Sequence, residues 1–399
     1  MSDRQLVLHI GAGKCGSSAL QAALSRSPDL TAADGTRYRY RVAAGGAGHY
    51  DLLGGAALTR AAAASAYGYA AFPAVPGAAP EAYARALARA HGEGRAEGFV
   101  PVLSNEGWIG QAPFMARTLA AMGHPPTLAL AFLRAPVDWL NAAFWQWGVW
   151  SQPRFERWYG GARSPYGLAE QLAAWAAIPN LQLQVFSGRA DVVAALAGHL
   201  GVAPGGAAAG AGTGMGAGMG AVNRSSPPAL IGFLLRNRQF RPDAHSPGAE
   251  FVAGRWCPAP APDHPLARKP WAVRAPDIEA LRPLAQATTA ALQRLLPPLQ
   301  RARLFTADPR WTGERPYHAE ILARPTPLHR LDELPALMDS LAAGARAAAA
   351  AAGLPAPGLP DPPPPGADHA AWDARLTRTF ETLLALDAQV RAGAGPAMS

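Results

Sequence analysis

Cysteine is scarce in this chain: 399 residues carry two, Cys15 and Cys257. Two thiols cannot build a disulfide framework or a zinc-finger spacing. Dense basic clusters are also missing. The arginines are scattered, which argues against a nucleic-acid surface, although 36 Lys and Arg against 28 Asp and Glu leave a net charge of +8. Such a balance suits an anionic small ligand or acceptor. Apolar stretches are broken by Gly or Pro, or consist of Ala and Gly, so no membrane span is expected. The first residues, MSDRQLVLHIG, enter a strand without the apolar region of a signal peptide. Together with a reduced thiol at Cys15, that start predicts a cytoplasmic protein.

What the sequence does hold is one organised stretch, Gln5 to Gln21 (QLVLHIGAGKCGSSALQ). Gln5 to Ile10 is a β-prone apolar run stopped by Gly11. Ser17 to Ser25 reads as helix, with Leu20 and Leu24 one turn apart and Ser17 or Ser18 available as N-cap. Between them lie Gly11, Ala12, Gly13, Lys14, Cys15 and Gly16. A strand, a glycine turn and a helix start make an anion cradle, because backbone N–H groups and the helix dipole converge on the ligand while glycines let the backbone approach it. A phosphate-bearing ligand is expected here. The nucleoside-triphosphate loop, G-x4-G-K-[ST], places its lysine after the last glycine and a magnesium-binding hydroxyl next. Here Lys14 precedes Gly16, and Cys15 occupies the hydroxyl position. Gly11, Gly13 and Gly16 fit the dinucleotide spacing, yet no strand ending in an acid follows about 20 residues on.

Further along, Phe99–Leu103, Thr127–Leu133 and Leu181–Phe186 read as strands. Helices are expected near 81–91, 115–122, 137–150, 168–177 and 191–200. Short apolar strands alternating with helices predict an α/β fold, a parallel sheet with helices on both faces. The segment 38–57 reads as a glycine-rich turn through His49 into a helical pattern, and 241–276 as irregular. A Gly/Ala-rich linker spans 203–221, and Asn223, Arg224 and Ser225 precede a helix over 229–237. Helices are expected over 277–304, 331–352 and 369–391. The division is an α/β domain over 1–312 and a helical, Pro/Ala-rich extension over 313–399.

Ligands of open parallel sheets bind beyond the carboxyl ends of the strands. The loops there are Gly11–Gly16, Ser104–Trp108, Arg134–Asp138 and Ser187–Asp191. Arg134 offers a planar fork for two phosphate oxygens, with an ion pair to Asp138 as the competing reading. His49, which titrates near neutrality, and Glu106, a carboxylate after a strand, are the two candidate general bases. His9, inside the first strand, is expected to make a structural hydrogen bond. The tryptophans around 139–158 read as core.

LHIGAGKCGSSALQ resembles the 5′-phosphosulfate loop of sulfotransferases that use 3′-phosphoadenosine 5′-phosphosulfate (PAPS), in the bacterial branch that opens near H-I-G-x-x-K-T-G-T-[TS]-x-L-Q. His9, Ile10, Gly11, Lys14, Gly16, Ser18, Leu20 and Gln21 match it, while Cys15 replaces a threonine. Arg134 in FLRAPVDWLNAAF resembles the family's 3′-phosphate element, with Ala142 where a serine is usual and Asn141 turned about 100° away. The resemblance implies a P-loop NTPase-like domain and transfer of a sulfuryl group from PAPS, without a metal, to a hydroxyl or amine of a carbohydrate, lipid or small molecule. It implies a PAPS/PAP site made of Gly11, Gly13, Lys14, Cys15, Gly16, Ser17, Ser18 and Arg134, with Lys14 neutralising the leaving phosphate and His49 or Glu106 as base. Two other readings stay open: a P-loop kinase or nucleotide hydrolase, and a non-catalytic nucleotide- or carbohydrate-binding scaffold.

Overall fold

A computed structural model describes residues 4–46, 48–75, 79–161, 166–203, 225–306, 308–312 and 325–393. The Gly/Ala-rich segment beyond Ala203, with Asn223 and Arg224, lies outside the described residues. The centre is a six-stranded sheet. Its strands are β1 (Leu6–His9), β2 (Asp29–Thr31), β3 (Arg37–Tyr40), β6 (Val100–Ser104), β7 (Thr127–Leu133) and β8 (Leu181–Ser187), in the order β2-β3-β6-β1-β7-β8. Only the β2–β3 pair is antiparallel. Every residue of β1, β6 and β7 is buried, so both faces of the sheet are covered, as a parallel sheet requires. Helices α1 (Ser17–Arg26) and α2 (Gly55–Ala64) pack together. Helices α3 (Pro80–Glu97), α4 (Ala112–Ala121) and α6 (Leu168–Ala176) form a second group, while α5 (Pro136–Ala143) follows β7 and α7 (Val192–Leu200) follows β8 and packs on α1.

All four expected strands fall in this sheet, and they are its contiguous run β6-β1-β7-β8. The segment 38–57 differs from expectation. Arg37–Tyr40 alternates exposed Arg37 and half-buried Arg39 with buried Tyr38 and Tyr40, the period of a half-buried strand. Val42–Gly46 (β4) and His49–Leu53 (β5) then pair as an antiparallel hairpin apart from the main sheet. His49 is therefore a strand residue, not a loop residue leading into a helix; α2 begins only at Gly55. The stretch 241–276 also differs, since Gly248–Trp256 is a helix, α9, that buries Ala249, Val252 and Ala253. Helix α8 (Pro228–Arg236) precedes it and α10 (Ala275–Leu295) follows. Near the C-terminus α11 (Leu334–Ala351) and α12 (His369–Gly393) pack on each other. Both reach α9, α11 also touches α8, and α12 touches α2. Their Leu341, Ala345, Leu376, Phe380 and Leu383 are fully buried in the same apolar core as the sheet.

Strand order fixes where a ligand can sit. From β1 the chain moves to the β3–β6 side, and from β7 it moves the other way to β8. The loops after neighbouring β1 and β7 thus part in opposite directions and leave a crevice at their carboxyl ends.

Candidate functional site

The four strand-end loops meet in one cavity of about 1510 Å³. Lys14 and Gly16 come from the first loop, Glu106 from the second, Arg134 and Asp138 from the third, and Arg189 to Asp191 from the fourth. Small-molecule sites are about 300–1,000 Å³, so this one has room for two reactants. Seven Lys or Arg against four Asp or Glu line it, which biases it toward anions.

The glycines of the first loop are there for steric reasons. Gly11 has φ +79°, and a Cβ on it would lie 2.3 Å from the Glu106 backbone; at Gly16, φ +96°, a Cβ would lie 2.7 Å from Val192. Lys14 is also left-handed, at φ +65°, a conformation held against its own preference by the surrounding structure. Gly16, rather than Ser17 or Ser18, precedes α1, and no side chain caps the helix. Gly16, having no side chain, offers the first-turn N–H groups no capping acceptor. The Trp139 indole N–H donates to the Gly13 carbonyl at 2.7 Å, and Trp147 packs against Gly13 and Trp139, so these two tryptophans clamp the loop. Beneath it, Ser104 Oγ bonds His9 Nδ1 at 2.7 Å and accepts from Gln21 Nε2 at 3.1 Å, tying β1, β6 and α1 together. Burial lowers the His9 imidazole to about 3, so it is neutral. Its role is structural, as expected.

Lys14 Nζ donates to Gln146 Oε1 at 2.9 Å. Gln146 lies in a π-helical turn, Phe144–Gly148, a distortion often found at functional sites. Its own carbonyl accepts from Arg241, which is fully buried, pairs with Glu250 at 2.5 Å and stacks on Trp150 at 4.0 Å. Burial lowers the Lys14 ammonium from 10.5 to about 8, with the Glu106 and Glu250 carboxylates opposing and Arg134 and Arg241 adding to the fall. The cation is thus short of negative charge. Glu106 opens onto the cavity. Desolvation pushes its carboxyl above the ordinary range, with Lys14 and the Ser17 side chain opposing.

At the end of β7, Asp138 draws three arginines together: Arg310 at 2.7 Å, Arg189 at 3.2 Å and Arg134 at 3.9 Å. The Arg134–Asp138 contact foreseen as an ion pair exists, yet it is the longest of the three. Asp308 is buried beside this group, and burial raises its carboxyl. Three guanidinium groups around Asp138 form a second cationic site in the same cavity. Arg189 was legible only through its strand-end position, and no motif marked Arg310. Asn141 and Ala142 both line the cavity, but the Asn141 amide is engaged, donating to the Pro270 carbonyl and accepting from the Ala272 N–H.

Four expected members are not among the cavity-lining residues: Gly11 and Gly13, which pack against Glu106 and Trp147, and Cys15 and His49. Cys15 is buried, and desolvation pushes its thiol up to about 12, so it is an uncharged packing group against Gly188. His49 is exposed on the β4–β5 hairpin, bonds Asp51 at 3.1 Å and is not among the cavity-lining residues. Comparison with protein families, curated protein sequences and solved structures found no match for this chain.

Proposed function

We propose that the chain is a sulfotransferase on a P-loop NTPase-like α/β domain, moving a sulfuryl group from PAPS to a hydroxyl or amine of a carbohydrate, lipid or small-molecule acceptor. The observation that carries this reading is a pair of separate cationic sites in one cavity, Lys14 in the glycine cradle and the Arg134–Arg189–Arg310 group. A donor phosphorylated at both its 5′ and 3′ positions needs two such sites. Arg134 Nε, at the second site, is buried with no hydrogen bond among the described residues, only its 3.9 Å ion pair to Asp138, which suits an incoming oxyanion.

PAPS supplies an activated sulfuryl group on a phosphate leaving group. The amides from Gly13 to Ser18 hold that phosphate, and Lys14 offsets the charge it gains. Arg134, with Arg189 and Arg310, holds the 3′-phosphate. Glu106 takes the acceptor proton; its raised pKa brings it closer to the working range of a general base. His49, on the hairpin, is outside this arrangement. Cys15 contributes packing where the related pattern has a threonine hydroxyl.

The test is to incubate the full chain with PAPS and pooled hydroxyl acceptors and follow PAP release in EDTA. Acceptor-dependent release that disappears in Lys14→Ala is the expected result. No release with PAPS, alongside Mg²⁺-dependent turnover of ATP, overturns the reading in favour of phosphoryl transfer.

A further inference from the structure

One wall of the cavity is aromatic. Tyr67, Tyr69 and Phe251 all line it, and their rings touch: Tyr67–Phe251 centroids are 5.1 Å apart, Tyr67–Tyr69 6.0 Å and Tyr69–Phe251 6.1 Å. Tyr67 is 38% exposed, one of the few large apolar side chains left open among the described residues. The wall adjoins the anion cradle, because the Tyr69 hydroxyl lies 3.3 Å from Ser18 Oγ in the first turn of α1. The Glu106 charge also acts on the Tyr69 phenol.

The wall is assembled from two distant pieces of chain, and the last helix joins them. Helix α2 ends at Ala64, and the carbonyls of Ala64, Ser65 and Ala66 need donors. Arg391 Nη1 donates to Ala64 at 3.3 Å, and Arg255 Nη2 donates to Ser65 and Ala66, each at 3.0 Å. Both arginines are held by one carboxylate, Asp387 of α12. It is fully buried and accepts from Arg255 at 2.7 Å, Arg391 at 2.7 Å and the Trp256 indole at 2.8 Å. Arg255 also packs on Gly68, where a Cβ would come within 3.0 Å of its guanidinium. Asp387 thus fixes the turn that carries Tyr67 and Tyr69 against the helix that carries Phe251.

We propose that Tyr67, Tyr69 and Phe251 form a stacking platform for a ring-bearing alcohol, and that α12 builds this platform through the positioning residue Asp387. The proposal extends the sulfuryl-transfer reading: a ring lying on the platform is the acceptor, with its hydroxyl toward Glu106. Stacking on aromatic rings serves the face of a pyranose or of a phenol, and the probes below separate the two.

The experiment is calorimetric titration of the full chain with 2-naphthol, methyl β-D-glucopyranoside and ring-free 1,2-hexanediol, each in parallel with PAP. At least one ring probe is expected to bind more tightly than the diol. Tyr67→Ala, at an open position, should weaken that probe about three- to ten-fold, the worth of one aromatic contact, with PAP affinity unchanged. Asp387→Asn should weaken the ring probe at least as much while PAP still binds, and Asp387→Glu should recover part of the loss. Ring probes that bind no better than the diol, or that are indifferent to Tyr67→Ala, overturn the proposal. An Asp387→Asn protein that loses PAP and the ring probe in equal measure overturns the positioning role. PAP failing to bind the unmodified chain would count against the sulfuryl-transfer reading alone, since the ring-probe comparison is read independently.

Discussion

Replacing Lys14 by methionine should make the unliganded protein more stable, with a smaller gain or none in the liganded protein. The ammonium falls from 10.5 to about 8 because it is desolvated. At about 1.36 kcal/mol per pH unit, holding that charge costs roughly 3 kcal/mol at neutral pH. Methionine keeps the length and removes the charge, but the bond from Lys14 Nζ to Gln146 is lost. Lys14 also keeps partial access to the cavity. These terms reduce the gain to about 1–2 kcal/mol. For a chain of 399 residues, unfolding entropy of about 2.1 cal/mol/K per residue converts each kcal/mol to roughly 1 °C. A rise in Tm of about 1–2 °C is therefore expected by scanning calorimetry. The sign with pH follows from the lowered pKa. Between about 8 and 10.5 the unfolded chain holds the proton that the fold has released, so wild-type stability rises with pH and the advantage of the variant shrinks across that window. PAP at a hundred times its wild-type Kd should stabilise the wild type by about 2.7 kcal/mol and a variant that binds ten-fold more weakly by only about 1.4 kcal/mol, which shrinks or removes the variant's advantage. A Lys14→Met protein that is less stable than wild type without ligand would refute the claim that this cation is held short of negative charge.

Three further outcomes follow from the same contacts. Gly11→Ala adds a Cβ 2.3 Å from the Glu106 backbone at φ +79°, so it should cost at least about 2 kcal/mol in denaturant melts and abolish PAP binding. Glu106→Gln should lower kcat about 10²- to 10⁴-fold and remove an acid limb set by a pKa above the ordinary carboxylate range, whereas His49→Ala should leave kcat unchanged. His9 is lowered to about 3, so the unfolded chain takes up a proton there that the fold refuses. Stability should fall from about pH 6.5 downward by up to about 1.4 kcal/mol per pH unit, and His9→Gln should flatten that slope in acid melts.

The sheet centre was legible because β6, β1 and β7 are short apolar runs buried on both faces, and the edge strand β8 alternates Leu and Gln before its buried end. The other edge was harder. In β3 the alternation of Arg and Tyr is a real period-two signal, but it spans four residues. In β4 the sequence Val-Ala-Ala-Gly-Gly carries no strand preference beyond its first residue. The expected serine N-cap failed because Gly16 takes a left-handed φ that a serine would resist. At the site, Lys14, Glu106 and Arg134 were found from their strand-end positions, and the cavity does bring them together. Arg310 was not, since it reaches Asp138 from 172 residues away in sequence. Asp387 and Arg255 were likewise invisible: their pairing depends on where the last helix docks.

The most direct measurement is isothermal titration of the full chain with PAP in EDTA, beside ATP with Mg²⁺. The account requires PAP to bind without metal, with affinity reduced at least about ten-fold in Lys14→Ala and in Arg134→Ala, since each removes a charge-assisted contact worth roughly 1.5–3 kcal/mol. Binding of Mg-ATP with no detectable PAP binding would contradict it.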